Sequence, residues 1–315
     1  MPLHYVERPA PAPLAAALEC VWSVSDRVAR RARPPDRLVP DGCPELIVHR
    51  GDRYARLIEG RPVRQPAAFL AGTLSRPWIV QAPARVCTIG VRFRPGGLTA
   101  LFDAALDGTA DREVPLAELP ASMASLVAAI RRARGPASAL RAAESWLLAH
   151  AAARVAQGAA GRHHSGRRVA NHLRLRHGTR AEPGVGVDAL PVAACAEAVR
   201  AIQRRRGRIG VDALALAVGL PRRRLERLFR RETALTPKQF IRVVRLTAIL
   251  GRLQAADRDR LIDVALDAGY FDQAHMARDF KALTARRASA RPGDDGELAA
   301  HFTRPDRLLR LLSAD

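Results

Sequence analysis

Between residues 18 and 102, apolar positions come in short runs parted by Pro, Gly and Ser. The clearest are Leu46-Ile47-Val48, Ala68-Phe69-Leu70-Ala71, Trp78-Ile79-Val80 and the partly alternating Val86 to Phe93, which breaks on Gly96-Gly97. Short β-favouring runs bounded by turn residues predict a small barrel or sandwich. The period then lengthens. Leu98, Leu101 and Phe102 begin a three- and four-residue spacing that Leu116 to Met123 and Leu126 to Leu148 continue, and Gly135-Pro136 divides it into at least two helices. Such helices close a domain core or form a dimer face. From 154 the apolar period lapses, and Arg154 to Arg180 holds seven Arg and no acid, which predicts a flexible basic tether. His163-His164 within it has no further ligands at metal-binding spacing. Helical spacing returns at Pro191 and holds to Arg291.

The expected fold is α+β. A mostly-β small barrel or sandwich with closing helices occupies 1–153, a linker 154–190, an all-α domain 191–291 and an irregular tail 292–315.

Within the all-α region two segments share one design. Val211 to Leu220 is followed by Pro221 to Arg231, and Leu261 to Tyr270 by Phe271 to Lys281. Each is a short helix with a small residue (Ala215, Ala265) four positions before a glycine (Gly219, Gly269), then a second helix. Two helices that cross steeply need a small side chain at the contact and a residue tolerant of positive φ in the turn. Leu225, Leu228 and Phe229 in the first unit, with Met276 and Phe280 in the second, form a stripe that buries one face of each second helix. Thr236-Pro237 starts a long helix between the units, with Pro237 well placed in its first turn.

The opposite faces carry Arg222, Arg223, Arg224, Glu226 and Arg227 in one unit, and Gln273, His275 and Arg278 in the other. Arg pairs bidentately with guanine, Gln with adenine, and Glu accepts from cytosine. A single such helix is equally well a solvated polar face. The duplication favours double-stranded DNA as partner. Charge agrees without deciding: the net charge is +21, and residues 195–291 hold 22 Lys or Arg against 10 Asp or Glu, while 1–153 hold 20 against 14. Part of that excess is an Arg-rich composition spread along the chain.

These residues resemble the AraC/XylS family of bacterial transcription regulators. The resemblance covers roughly 195–285 and is carried by Arg227-Leu228-Phe229-Arg230-Arg231-Glu232-Thr233 leading to Leu235-Thr236-Pro237, and by Ala268-Gly269-Tyr270-Phe271-Asp272-Gln273-Ala274-His275. It implies a sequence-specific transcription regulator, with base-reading positions near Arg223, Glu226, Arg227, Gln273, His275 and Arg278, and RNA polymerase and a second copy of the chain as further partners. Family members usually carry a Ser-like cap where Pro221 stands and Gly where Ala234 stands. Their closing Gly-x-[Ser/Thr]-Pro turn reads Ala285-Arg286-Arg287-Ala288 here. The N-terminal half resembles a domain that precedes such units in part of the family, through Leu38 to Ile47, Gly72 to Pro77 and Gly90 to Gly97. By that analogy it senses an effector or dimerises.

Asp41, Cys43, Glu45, Arg92 and Arg94 are the candidate effector-binding groups. The structural alternative is a Pro-Asp-Gly turn, a small buried Cys43 and a Glu45 paired with an Arg, and the alternating Arg92-Phe93-Arg94 fits a lined cavity or a salt-bridged surface equally. Some relatives of the family use a cysteine to accept methyl groups from damaged DNA. Such a nucleophile needs a lowered pKa or a metal, and Cys43 has neither clustered cysteines nor a nearby His in sequence. No catalytic layout, metal site or cofactor motif emerges. The four scattered cysteines, the lack of an apolar leader and of any apolar run of about 18 to 20 residues make a cytoplasmic, reduced protein the expectation, with no membrane partner. A nonspecific architectural DNA-binding protein remains the second functional class, since phosphate contacts alone account for charge but not for two reading faces.

Overall fold

The computed structural model describes residues 3–26, 34–164, 189–255, 263, 266–287 and 297–302. Alternation along the strands decides how its first half is layered. Six strands form one antiparallel sheet in the order β1 (His4–Pro9), β2 (Leu18–Asp26), β9 (Val86–Phe93), β4 (Glu45–His49), β7 (Ala68–Ala71) and β10 (Glu113–Pro115). A second sheet runs β3 (Asp36–Leu38), β8 (Trp78–Gln81), β5 (Ala55–Ile58) and β6 (Arg61–Arg64). On β4, β7 and β9, Leu46, Val48, Leu70, Ile89, Val91 and Phe93 face a helical layer. Their neighbours Ile47, Phe69, Thr88 and Arg92 point between the sheets.

The helical layer comprises α1 (Gly97–Phe102), α2 (Ala121–Arg132) and α3 (Pro136–His164). Met123, Leu126 and Ile130 of α2 meet Leu140 and Leu147 of α3 in the same core, each removed from water. A large aliphatic side chain so buried contributes about 1.5–3 kcal/mol. Helical spacing predicted across Leu116–Met123 is not what forms: β10 ends at Pro115, a single tight turn covers Leu116–Glu118, and α2 starts only at Ala121, behind Pro120. Proline cannot continue a helix from its N-terminal side, so the turn and α2 stay separate. The last helix of the layer runs to His164, taking in the first eleven residues of the stretch expected as tether, because an Ala-rich sequence continues a helix even after its apolar stripe has ended. The rest of that stretch, 165–188, lies outside the described residues.

The second half is helical: α4 (Ala189–Arg204), α5 (Val211–Ala217), α6 (Arg222–Thr233), α7 (Pro237–Ala255) and α8 (Gln273–Thr284). A core of Cys195, Ile202, Leu214, Leu225, Phe229 and Phe240 unites α4 to α7. A second core sets Met276, Phe280 and Leu283 against Leu246 and Ile249 on the far end of α7. Ala265 lies outside the described residues.

The supposed irregular tail is a correction. Glu297–Phe302 forms a short helix, α9, whose Leu298 and Phe302 join the core between the sheets. Its first turn is held from the other end of the chain, where the buried Asp36 carboxylate accepts from the Leu298 and Ala299 amides at 2.8 and 3.2 Å. A carboxylate there satisfies amides that a six-residue helix cannot. Residues 303–315 lie outside the described set.

Candidate nucleic-acid interface and inter-sheet cavity

In the first unit Leu214 and Ala215 of α5 are buried, the chain turns at Gly219 with φ of +64°, and Leu225, Leu228 and Phe229 bury the inner stripe of α6. The outward face is then fixed by helical period. Arg222, Arg223, Arg224 and Arg227 are exposed on it and Glu226 is partly covered. Arg222 is already engaged, donating to Asp212 at 3.1 Å and to Glu226 at 3.2 Å. The second unit repeats the plan. Gly269 turns with φ of +78°, and Asp272 caps α8 by accepting from the His275 amide. Gln273 and Arg278 are exposed, whereas His275 is partly buried with its ring edge against Tyr270 at 5.0 Å.

The second helix of each unit closes in the same way. Thr233 and Thr284 hydroxyls donate to Phe229 and Phe280 carbonyls at 2.7 Å and accept from Leu235 and Arg286 amides. The next residues, Ala234 and Ala285, take left-handed φ of +62° and +55°. The second unit thus ends in a formed turn despite lacking the glycine.

Two features on this side were not singled out in the sequence. Phe271, just before the α8 cap, is 89% exposed. Arg206, Arg208 and Arg252 line a cleft between the units, with Asp267 pairing Arg252. The run Arg204-Arg205-Arg206-Gly207-Arg208 was the available signal.

Asp41, Cys43, Glu45 and Arg92 converge on the inter-sheet cavity. Arg92, paired in register with Glu45 across β9 and β4, donates to the carboxylates of both Asp41 and Glu45. Trp22 Nε1 donates to the other Glu45 oxygen at 3.2 Å, and the Cys43 amide to the other Asp41 oxygen at 3.0 Å. Arg94 does not reach this cavity; it pairs with Glu19 at 3.0 Å and lines a smaller one together with Asp41, Cys43, Phe240 and Val244. Burial pushes the Cys43 thiol up to about 12, with Arg92 only partly opposing. A thiol held protonated is the wrong state for a methyl-accepting nucleophile. Burial likewise pushes His49, on the same cavity wall, down to about 4. Among the described residues no cluster of three or more His, Cys, Asp or Glu fits a metal ion, and no helix is long and apolar enough to cross a membrane.

Residues 214–290 match the family model described as a helix-turn-helix domain, and residues 6–115 match that of a domain of unknown function, DUF6597. No curated protein matches the chain. Among solved structures, the chain is similar to ToxT from Vibrio cholerae strain SCE256 with unsaturated fatty acid bound, at 10% identity and a TM-score of 0.40, over 90% of this chain and 95% of that one. It is also similar to ToxT from Vibrio cholerae O395, at 9% identity and a TM-score of 0.38, over 85% and 95% respectively. The chain thus carries a helix-turn-helix domain towards its C-terminus, behind a DUF6597 domain.

Proposed function

We propose that both units read DNA, with α6 and α8 in two successive major grooves, and that the N-terminal domain controls this by binding a small effector. The observation that carries the reading is the repeated geometry: two helices with the same buried stripe, the same threonine closure and a polar outer face, at opposite ends of one helix. The 19 residues of α7 span roughly 28 Å at about 1.5 Å each. With the flanking packing this approaches the roughly 34 Å between grooves on one face of DNA. In this arrangement Arg223, Arg224, Arg227, Gln273 and Arg278 face base edges. Arg222 and Glu226 exchange each other for DNA on binding, and His275 keeps α8 seated on Tyr270 while offering its free edge. Phe271 meets thymine methyls or sugars, and the Arg206/Arg208/Arg252 cleft takes backbone phosphate.

The test is a footprint together with the Arg227→Ala variant. A discrete protected site is expected, and Arg227→Ala should lose about 1–3 kcal/mol on that site with little change on random DNA. Uniform protection of any sequence, or equal loss on both DNAs, returns the protein to the architectural class.

A further inference from the structure

The inter-sheet cavity concentrates aromatic side chains in a chain that has few. Trp22, Tyr54, Phe69, Trp78 and Phe302 line it, five of the fourteen aromatic residues. Its polar end is formally anionic: two carboxylates, Asp41 and Glu45, share the single guanidinium of Arg92. Position matters as much as sum. The Arg92 side chain is 2% exposed, while Asp41 and Glu45 are 16% and 13% exposed, so the carboxylates keep more open surface than the guanidinium they share. Burial keeps His49 neutral near pH 7, so it adds no compensating charge. The Trp78 indole N–H is buried with no hydrogen-bond partner among the described residues, leaving a donor in the wall for an acceptor on a ligand.

The cavity is nevertheless too small as it stands. Its volume is about 90 Å³, against the roughly 150 Å³ that admits a benzene ring in an apolar cavity. One wall is made by a separable piece. Phe302 closes the space edge-on to Trp22 at 5.3 Å and sits over the Arg92 guanidinium at 5.9 Å. It belongs to α9, a six-residue helix. Hydrogen bonds from the Leu298 and Ala299 amides to Asp36, the buried Leu298 side chain and the stacking of His301 on Tyr5 at 4.5 Å hold that helix.

We propose that this cavity binds a hydrophobic organic cation, whose ring displaces Phe302 and whose ammonium group pairs with Asp41 and Glu45. The proposal names the ligand class for the effector site postulated above and rests on that reading. Electron-rich ring faces and carboxylates both favour a cation, and an apolar enclosure strengthens the attraction. α9 is then a lid contributed by the segment that follows the second DNA-reading unit, so occupancy and the placement of that segment exclude one another.

Calorimetry on the full chain, without DNA, tests it with three compounds that share a 2-phenylethyl group: 2-phenylethylammonium, 2-phenylethanol and 3-phenylpropanoate. The cation should bind at least tenfold tighter than the anion, with the alcohol between. Glu45→Gln, which keeps the shape and removes the surplus charge, should erase that preference. Phe302→Ala, which opens the lid without touching the carboxylates, should tighten cation binding threefold or more. Equal or tighter binding of the anion by the unaltered chain overturns the ligand class, whatever the fate of Glu45→Gln. Weaker binding by a folded Phe302→Ala overturns the lid. Because no DNA is present, failure of the groove-reading model leaves these readouts unchanged, whereas absence of binding by all three compounds sinks the cavity as a site while leaving the footprint intact.

Discussion

Ala234 and Ala285 occupy the left-handed positions that end α6 and α8, where a glycine avoids the clash of Cβ with the following carbonyl. Replacing Ala285 by Gly removes that strain at an exposed site and should stabilise the protein by about 1 kcal/mol, read as a Tm rise of roughly 2–4 °C. Ala234 differs, since its side chain packs against the N-terminal core. A buried methyl is worth about 0.8 kcal/mol, so Ala234→Gly should gain much less. Equal gains at both sites would show that the Ala234 contact contributes nothing. His49 makes a second residue-scale case. It is 6% exposed, stacks on Tyr54 at 5.7 Å and shares a hydrogen bond with the Thr88 hydroxyl at 2.9 Å. Its native pKa near 4 lies below the ordinary 6.5, so the unfolded chain takes up a proton first as pH falls. Stability is therefore intact above about pH 6.5, is lost between 6.5 and about 4, and loses nothing further from this group below that. The loss is at most about 3 kcal/mol. Denaturant titrations of the protein and of His49→Gln should diverge in slope over that window, and parallel slopes would mean His49 stays solvated.

At the level of elements, those with a long period were legible and those without were not. α6 and α8 each place apolar side chains at three- and four-residue spacing, and that spacing located their buried faces. Helix α9 spans only Glu297–Phe302, too short for a period to show, and what stabilises it is Asp36, some 260 positions away in sequence. The hairpin β5–β6 is largely exposed, with Val63 nearly half so, and offers no alternation between a wet and a dry face. The site was legible in a similar measure. Asp41, Cys43, Glu45 and Arg92 come together because the turn at Asp41 and Cys43 leads straight into β4, whose Glu45 pairs in register with Arg92, whereas Arg94, just past the end of β9, reaches only Asp41 and Cys43, in the smaller cavity. The cap of α8 shows what one such local signal is worth. Asp272→Ala removes the acceptor for the His275 amide and should cost about 1 kcal/mol, with the loss confined to the second unit. Hydrogen exchange should report faster opening of the α8 amides while α6 stays protected. Equal acceleration in both would mean that the units open together.

Across the whole molecule the two halves are joined where the cavity meets the first unit. Backbone amides of Gly96 and Leu106 donate to the Glu232 and Arg231 carbonyls at 3.1 and 2.7 Å, so the end of α6 is held by the N-terminal domain. Glu232 itself is buried at this seam, and burial raises its pKa. On the other side, Gly42 sits between Asp41 and Cys43 with φ of +87°, and a Cβ there would lie 2.9 Å from the Phe240 ring. That ring packs edge-on to Phe229 of α6 at 5.7 Å. A turn whose flanking residues line the cavity therefore rests directly on the core of the first helix-turn-helix unit. Two domains so tied should unfold in one transition. Gly42→Val adds a β-branched side chain where both φ and space forbid it, and Phe240 cannot retreat because it is 1% exposed within its own core. The turn must lift instead, which breaks the seam without removing any atom from either core. Scanning calorimetry should then resolve two transitions, the later one near the original Tm, while the footprint on specific DNA persists. A single transition at an unchanged temperature would show that the amide ties at Gly96 and Leu106 suffice alone, and that the cavity has no mechanical route to α6 through Gly42.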